Sequence, residues 1–337
     1  MKYQALLLSF FLLFTGSSFS QDNYRIMFYN VENLFDTIDD PQTQDDEFTP
    51  NGSRYWTAYR YYQKLTNIAK VISSVGEWDT PVLVGLCEVE NEKVLEDLTK
   101  HSPLRKIAYR YVMADTEDIR GIRVALLYER DKFRLIEKRS IKIEKLKTRD
   151  ILHVSGYVAT GDTLDTFICH FPSRRLGKRE SEPNRVLAAS ILRQQVDSIL
   201  DVRLDPKIII MGDFNDEPSD KSISKILNAQ LPDSLPQVNN LYNLSLSSDQ
   251  SRSGTYKYQG EWNVLDQIIV SGSLLDPKSQ LRVLHPQTIN PRFPYLLTED
   301  PVHDNLRPLK TYHGYRYEGG FSDHLPIYIN LFLEFPK

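Results

Sequence analysis

The chain has 337 residues, 41% of them hydrophobic and 26% charged, with 15 Gly, 18 Pro and 2 Cys. This composition excludes collagen, low-complexity disorder and a multi-span membrane protein, and two cysteines are too few for a disulfide scaffold or a four-ligand zinc site. The formal charge of −4 argues against a general basic coat for nucleic acid but leaves room for a locally basic cleft.

Residues 1–20 read as a leader. Lys2 supplies a positive n-region, residues 5–14 an apolar run broken only by Ser9, and Ser18-Phe19-Ser20 a small-x-small cleavage site. Such a run is too short to cross about 30 Å of hydrocarbon as a helix, and no Cys follows it to accept a lipid. The expected mature chain, residues 21–337, is secreted or periplasmic, monomeric and without a stable membrane anchor.

Strand-like and helix-like blocks then alternate. Residues 24–30 form a β-rich run, and the acidic stretch 39–47 reads as a solvated loop without the spacing of a calcium loop. Tyr61, Leu65, Ile68, Ile72 and Val75 recur at helical spacing. A strand over 82–88 and a short helix over 90–98 follow, then strands over 124–128 and 164–170. Ala189, Leu192, Val196 and Ile199 predict a second long helix, preceded by a basic loop. Strands over 207–212 and 264–270 flank a short helix over 219–227. Several strands are apolar throughout, as expected where helices cover one face of a sheet and a second sheet the other. No repeat or Gly/Ser-rich linker interrupts the series, so residues 21–337 are expected to form one domain.

Polar residues cluster where these strands stop. The run at Met27 ends in Asn30, with Glu32 beyond; the next ends in Glu88; others end in His170, in Asp213 and Asn215, and at Asp266. Gly319-Gly320-Phe321-Ser322 leads into Asp323 and His324. A lone polar residue at a strand end caps a turn; six such ends in one α/β chain indicate a site. Clustered carboxylates repel unless a cation neutralises them, and oxygen donors without a Cys cluster suit Mg²⁺ or Mn²⁺ better than Zn²⁺.

Tyr29-Asn30-Val31-Glu32-Asn33, Leu86-Cys87-Glu88-Val89-Glu90, His170-Phe171-Pro172-Ser173, Gly212-Asp213-Phe214-Asn215-Asp216 and Ser322-Asp323-His324-Leu325-Pro326 together resemble the ordered motif set of the endonuclease/exonuclease/phosphatase superfamily. It includes deoxyribonucleases, abasic-site endonucleases, sphingomyelinases and inositol polyphosphate 5-phosphatases. The resemblance implies a four-layer α/β sandwich, with two mostly antiparallel mixed β-sheets face to face and helices outside. It also implies hydrolysis of phosphate esters with a divalent metal, Mg²⁺ first and Mn²⁺ or Ca²⁺ as alternatives. By the same resemblance Asn30, Glu88 and Asp323 hold the metal, and His170 contacts phosphate. Asp213 orients or deprotonates water, Asn215 binds a phosphate oxygen, and His324 is the catalytic histidine with Asp266 as its partner.

Relatives often carry an acid where this chain has Arg123, which leaves His170 without an obvious carboxylate partner. Tyr128, Cys87 and Cys169 read as core residues, the two thiols unpaired. Residues 171–185 carry Arg174, Arg175, Lys178, Arg179 and Arg185 against Glu180 and Glu182, a local +3 that suits a polyanionic substrate. Arg174 and Arg175 are the expected substrate contacts. The chain lacks the Cys-Asp-Arg signature of the 5-phosphatases. A secreted nuclease acting on DNA or RNA is the first reading. A phosphodiesterase or phosphatase on lipid headgroups or small esters is the second. A non-catalytic binding protein on the same fold is the third, against which every motif position keeps a competent residue.

Expressed in a secreting host, the protein is expected to begin near Gln21. N-terminal sequencing checks this, and secreted material that still starts at Met1 overturns the leader.

Overall fold

Alternation along the strands sorts the apolar residues into layers. The computed structural model describes residues 24–77, 79–232, 235–245, 254–303 and 305–334, and the expected leader lies outside them. In chain order the elements begin β1 (Tyr24–Leu34), α1 (Ala58–Gly76), β2 (Leu83–Val89), α2 (Glu92–Lys100), β3 (Tyr109–Met113) and β4 (Arg123–Glu129). Next come β5 (Phe133–Ile141), β6 (Ile151–Val158), β7 (Thr163–His170), α3 (Lys178–Leu200), β8 (Lys207–Asp213), β9 (Ala229–Gln230) and β10 (Leu241–Asn243). The chain continues through β11 (Tyr256–Tyr258), β12 (Glu261–Asn263), β13 (Asp266–Ser271) and β14 (Leu281–Val283). The hairpins β15 (Leu297–Glu299) with β16 (Leu306–Pro308) and β17 (Tyr312–His313) with β18 (Arg316–Tyr317) precede β19 (Ile327–Leu333).

One sheet has the order β14-β19-β1-β2-β4-β3 and the other β5-β6-β7-β8-β13-β10-β9. Both are mixed and mostly antiparallel, with β1–β2, β7–β8 and β9–β10 as parallel pairs. Ile26 and Phe28 of β1 face Ile209 and Met211 of β8 in the core between the sheets. Met27 and Tyr29 turn the other way, onto Leu65, Ile68 and Ile72 of α1. Phe167 and Ile210 pack on Ala188, Leu192 and Val196 of α3. The result is the four-layer α/β sandwich, helices outside and two sheets inside.

Among the described residues the structure adds strands that the expected series lacks, β3, β6, β14 and β19 among them, and three further elements differ for a local reason. Residues 219–227 do hold the expected short helix, but it is a π-helix, Ser222–Leu227, closed by left-handed Asn228 (φ 54°). Helix α3 starts at Lys178, so half of the expected basic loop is its first turns; Arg185 bonds Ser181 (2.6 Å) and contacts buried Asp216 (2.7 Å), which fixes that start despite Pro183. Strand β5, Phe-Arg-Leu-Ile-Glu-Lys-Arg-Ser-Ile, is largely exposed at a sheet edge, where charges are tolerated, and its composition hides it. Cys87 and Cys169 are buried free thiols, and Tyr128 packs on Phe133, as expected.

Gly212 opens the Gly-Asp-Phe-Asn motif beside β7. A Cβ there would lie 2.4 Å from the Cys169 carbonyl oxygen and 2.7 Å from its Cβ, a backbone contact that cannot move aside. Gly212→Ala is expected to lower stability by about 1–3 kcal/mol, read as a lower urea midpoint with unchanged slope. An unshifted midpoint overturns this reading of the glycine.

Candidate active site

Register places the first three groups. His170 is the Cα partner of Asp213 across β7–β8, and Asp266 is the Cα partner of Asp213 across β8–β13. Three adjacent strands thus end level. From the other sheet, Asn30 pairs with Cys87, after which the β1–β2 register breaks, resuming at Leu34 with Val89. The β2–β4 register also skips Glu88. Glu32, Asn33, Glu88 and Asn215 all carry left-handed backbone (φ 50°, 50°, 63° and 51°), a conformation that costs a non-glycine residue about 1 kcal/mol or more. These bulges turn Glu88 out of strict alternation and into the cleft.

The side chains converge. His324 Nδ1 lies 2.7 Å from Asp266 Oδ2, and its Nε2 lies 3.7 Å from Asp213 Oδ2. His170 Nε2 is 3.6 Å from the same Asp213 oxygen and 3.9 Å from Glu88 Oε1. Asn30 donates its amide to Asp213 Oδ2 (3.1 Å) and to Glu88 Oε1 (3.5 Å). The Asn33 N–H donates to Glu88 Oε2 (2.8 Å), and the Asn215 N–H to Asp213 Oδ1 (2.9 Å). Ser322 Oγ donates to the Asn30 carbonyl and accepts the His324 N–H, so the loop that carries His324 is tied to the end of β1. Tyr256 stacks on the His324 ring with centroids 4.7 Å apart.

Burial and charge separate the two histidines. Burial opposes a charge on His324, but the Asp266 and Asp213 carboxylates outweigh it and raise its pKa well above the usual value. Burial and the charges of Arg149, Arg120 and His324 hold His170 well below its usual value. One imidazole is therefore cationic and the other neutral at neutral pH. Burial pushes Asp213 up to about 6, with Asp266 and Glu88 adding and His324 opposing.

The comparisons bear on what such a cleft belongs to. The family model for the endonuclease/exonuclease/phosphatase family matches residues 25–332. The chain belongs to that family. Its members hydrolyse phosphate esters with a divalent metal, and this chain is a phosphoester hydrolase. No curated protein sequence matches the chain. Among solved structures, a Bacteroides thetaiotaomicron member of the family is 16% identical with TM-score 0.59, covering 94% of this chain and 100% of that one. A Bacteroides thetaiotaomicron mannosyl-6-phosphatase is 16% identical with TM-score 0.57, covering 91% and 99%. D. rerio TDP2 complexed with a single-strand DNA product is 16% identical with TM-score 0.57, covering 92% and 99%.

The residues fit the metal that the family uses. Among the described residues, five carboxylates, Glu32, Glu88, Asp213, Asp266 and Asp323, are opposed at close range by fewer cations, Lys64, Lys310 and the His324 imidazolium. Glu88 raises the pKa of both Asp213 and Asp323, the mark of uncompensated negative charge. Glu88 and Asp323, with all-oxygen donors, suit a hard divalent ion. Asn30 Oδ1 accepts the Glu32 N–H (3.0 Å), which leaves its second lone pair open, while its NH₂ is turned to Asp213 and Glu88. Asp213, Asp266 and His324 also place one ligand atom each within 4.8 Å of one another. There the His324–Asp266 hydrogen bond already accounts for the approach.

Some expected contacts are committed elsewhere. Arg174 gives Nε to the Asn215 carbonyl (2.5 Å), Nη1 to Asn263 (3.3 Å) and Nη2 to Asp220 (3.1 Å). It holds the Asn215 turn and lines the cleft beside Arg175. Arg185 is wholly buried. Arg175 lines the cleft and has no hydrogen-bond or ion-pair partner among the described residues. Asn215 spends one amide hydrogen on the Phe171 carbonyl (3.1 Å). His170 Nδ1 is buried without a partner, in keeping with Arg123, which bonds the Glu90 and Gly121 carbonyls instead.

Sequence reasoning missed the support behind Asp323. Lys64 of α1 is buried and donates to Thr311 Oγ1 and the Phe321 carbonyl (2.6 Å each), 3.7 Å from Glu32 Oε2. One turn on, Asn67 donates to the Gly319 and Gly320 carbonyls (3.0 and 2.7 Å). The segment that delivers Asp323 and His324 is thereby clamped to α1. Lys64 falls between Tyr61 and Leu65 on the apolar stripe, and a cation on that stripe was the available signal.

With Asp213 required as carboxylate and His324 as imidazolium, kcat is expected to fall below about pH 6 and again on an alkaline limb well above neutrality. Asp266→Asn removes the main cause that raises His324. The alkaline limb should then move down by about one unit or more, and an unmoved limb in a pH–rate profile overturns the pairing.

Proposed function

We propose that this chain is an exported, metal-dependent phosphodiesterase that cuts nucleic acid. The observation that carries this reading is a cleft of about 610 Å³ in which the two histidines and Asp213 are flanked by Arg120, Arg175 and Lys178 and by Tyr256 and Tyr258. Cations that follow a backbone and aromatic faces that accept bases are what a strand of nucleic acid requires. That volume also suits a nucleotide-sized group. The likeness to TDP2, solved with a DNA product, supports the same direction.

In this proposal Asp213 accepts a proton from the attacking water as the water oxygen bonds to phosphorus. The ester P–O bond opposite it breaks, and its electron pair leaves on the alcohol oxygen. Charged His324, held by Asp266 and Tyr256, donates to the phosphate oxygen on which negative charge grows. His170 and the Asn30 amide hold the ground-state phosphate. A divalent ion at Glu88 and Asp323 would neutralise charge on the phosphate and the leaving oxygen. Export rests on the leader pattern at residues 1–20. Among the described residues no helix is long and apolar enough to cross a membrane.

The test offers plasmid, single-stranded DNA, RNA, sphingomyelin, mannose 6-phosphate and bis-4-nitrophenyl phosphate to the mature protein with Mg²⁺, Mn²⁺ or Ca²⁺. Nucleic acid is expected to be the preferred substrate, with activity lost in EDTA and restored by metal. Glu88→Ala should raise the metal concentration required. His324→Ala should cut kcat about 10²-fold or more with KM little changed. Arg175→Glu should raise KM and flatten its salt dependence. Turnover of mannose 6-phosphate alone would favour a sugar phosphatase, like the structural neighbour of that activity. Undiminished activity in chelator overturns the metal.

A further inference from the structure

Asp118-Ile119-Arg120-Gly121 is a turn sequence, with an acid at its first position and glycine at its last. The Gly121 N–H closes the turn on the Asp118 carbonyl (2.9 Å), and Asp118 Oδ1 accepts the Arg120 N–H (2.9 Å). Gly121 takes the left-handed backbone (φ 76°) that carries the chain on into β4. Arg120 is thus presented from a fixed point, and it lines the same cleft as Glu88, His170 and Asp213.

Behind Arg120 the structure is buried and charged. Asp118 Oδ1 also accepts from Arg120 Nε (3.3 Å), and Asp118 Oδ2 accepts from Arg149 Nη1 (2.9 Å). Arg149 Nη2 donates to the carbonyl of Phe171 (2.7 Å), the residue after His170. Asp118 and Arg149 are both more than nine-tenths buried. Burial alone would favour a neutral Asp118, but the two guanidinium groups outweigh it and hold the carboxyl below its usual range. One carboxylate between two cations leaves the row with a net positive charge, and it runs from the end of β7 to the cleft.

Only one end of that row can meet a ligand. Arg149 is enclosed, whereas the Arg120 side chain is 34% exposed. Its Nε is committed, but its Nη1 and Nη2 make no hydrogen bond to a described residue. Two neighbouring N–H donors on a fixed plane match two non-bridging oxygens of one phosphate. The other cleft arginines differ. Arg174 has all three nitrogens engaged by Asn215, Asn263 and Asp220, and Arg175 is exposed with no described partner to fix its head. Arg120 is also close enough to His170 for its charge to act on that ring.

We propose that Arg120 contacts the reacting phosphate itself through Nη1 and Nη2, and that Asp118 is its positioning residue, tied through Arg149 to the strand end that carries His170. Arg175 instead meets the flanking part of a longer anion. The proposal rests on the reading of this cleft as the site of phosphate ester hydrolysis and deepens it, by separating the cation at the reacting phosphate from the cation beyond it.

The mature protein, with Mg²⁺, is assayed on bis-4-nitrophenyl phosphate, which carries one phosphate, and on single-stranded DNA, which carries many. Arg120→Ala is expected to cut kcat/KM about tenfold or more on both, as loss of a charge-assisted contact would give. Arg175→Ala should do so on DNA alone. Asp118→Asn should lower kcat/KM on the small ester, and adding it to Arg120→Ala should cost nothing more, because a residue that acts through Arg120 then has nothing to position. Melting temperatures report folding, and should Asp118→Asn fail to fold, the Arg120→Ala comparison still decides. A loss on DNA alone for Arg120→Ala, or Asp118 and Arg120 losses that multiply, overturns the assignment. Calorimetric titration with inorganic phosphate and Mg²⁺ separates this from the hydrolysis reading. Phosphate binding weakened about tenfold by Arg120→Ala but not by Arg175→Ala, with neither ester turned over, sinks the hydrolysis reading and keeps the Arg120 contact. Phosphate binding that ignores Arg120 sinks the contact, whatever the turnover.

Discussion

Two buried carboxylates face each other across a strand pair, and most of the site follows from how that is tolerated. Asp213 and Asp266 are direct partners on β8 and β13. Like charges so placed repel, and burial adds to the cost by pushing Asp213 toward its neutral form. The His324 imidazolium resolves this by standing between them. It arrives on the loop that enters β19 in the opposite sheet, so the same ring that balances the charges also joins the open ends of both sheets. A substitution at His324 consequently changes the charge balance of the site and the closure of the sandwich together.

The architecture was legible because it rests on local alternation. The apolar runs that end in Asn30, Glu88, His170, Asp213 and Asp266 are buried strands, and the ordered motifs fixed their kinship. Strand β5 escaped because an edge strand can be charged. The helix Ser222–Leu227 was read, but its π-type winding was not, because apolar spacing over so short a segment does not separate it from an α-helix. What the sequence could not convey was the commitment of individual polar atoms. Arg174 and Arg175 are neighbours of the same type and both line the cleft, yet the first is braced by Asn215, Asn263 and Asp220 while the second has no hydrogen-bond or ion-pair partner among the described residues. That distinction depends on residues more than forty positions away.

The same holds for the ligand set. Asn30 sits where a metal-binding residue is expected, but the orientation of its amide is fixed by the N–H of Glu32 two residues later, a consequence of the bulge. The left-handed backbone at Glu32, Asn33, Glu88 and Asn215 concentrates strain at the catalytic end of the sheets, where rigid strands on either side can hold it. The clamp from Lys64 and Asn67 plays the corresponding part for the Gly319–Phe321 segment, which has no strand of its own to hold it.

The two thiols lie in different layers. Cys87 belongs to the core between the sheets and Cys169 to the core beneath α3; burial raises the pKa of each, which keeps them as unreactive thiols. Because neither touches solvent, the rate at which a thiol reagent labels each one measures how often its own layer opens. The native chain therefore carries a separate clock for each half of the sandwich. Peeling of α3 would expose Cys169 first, whereas parting of the sheets would be required to release Cys87.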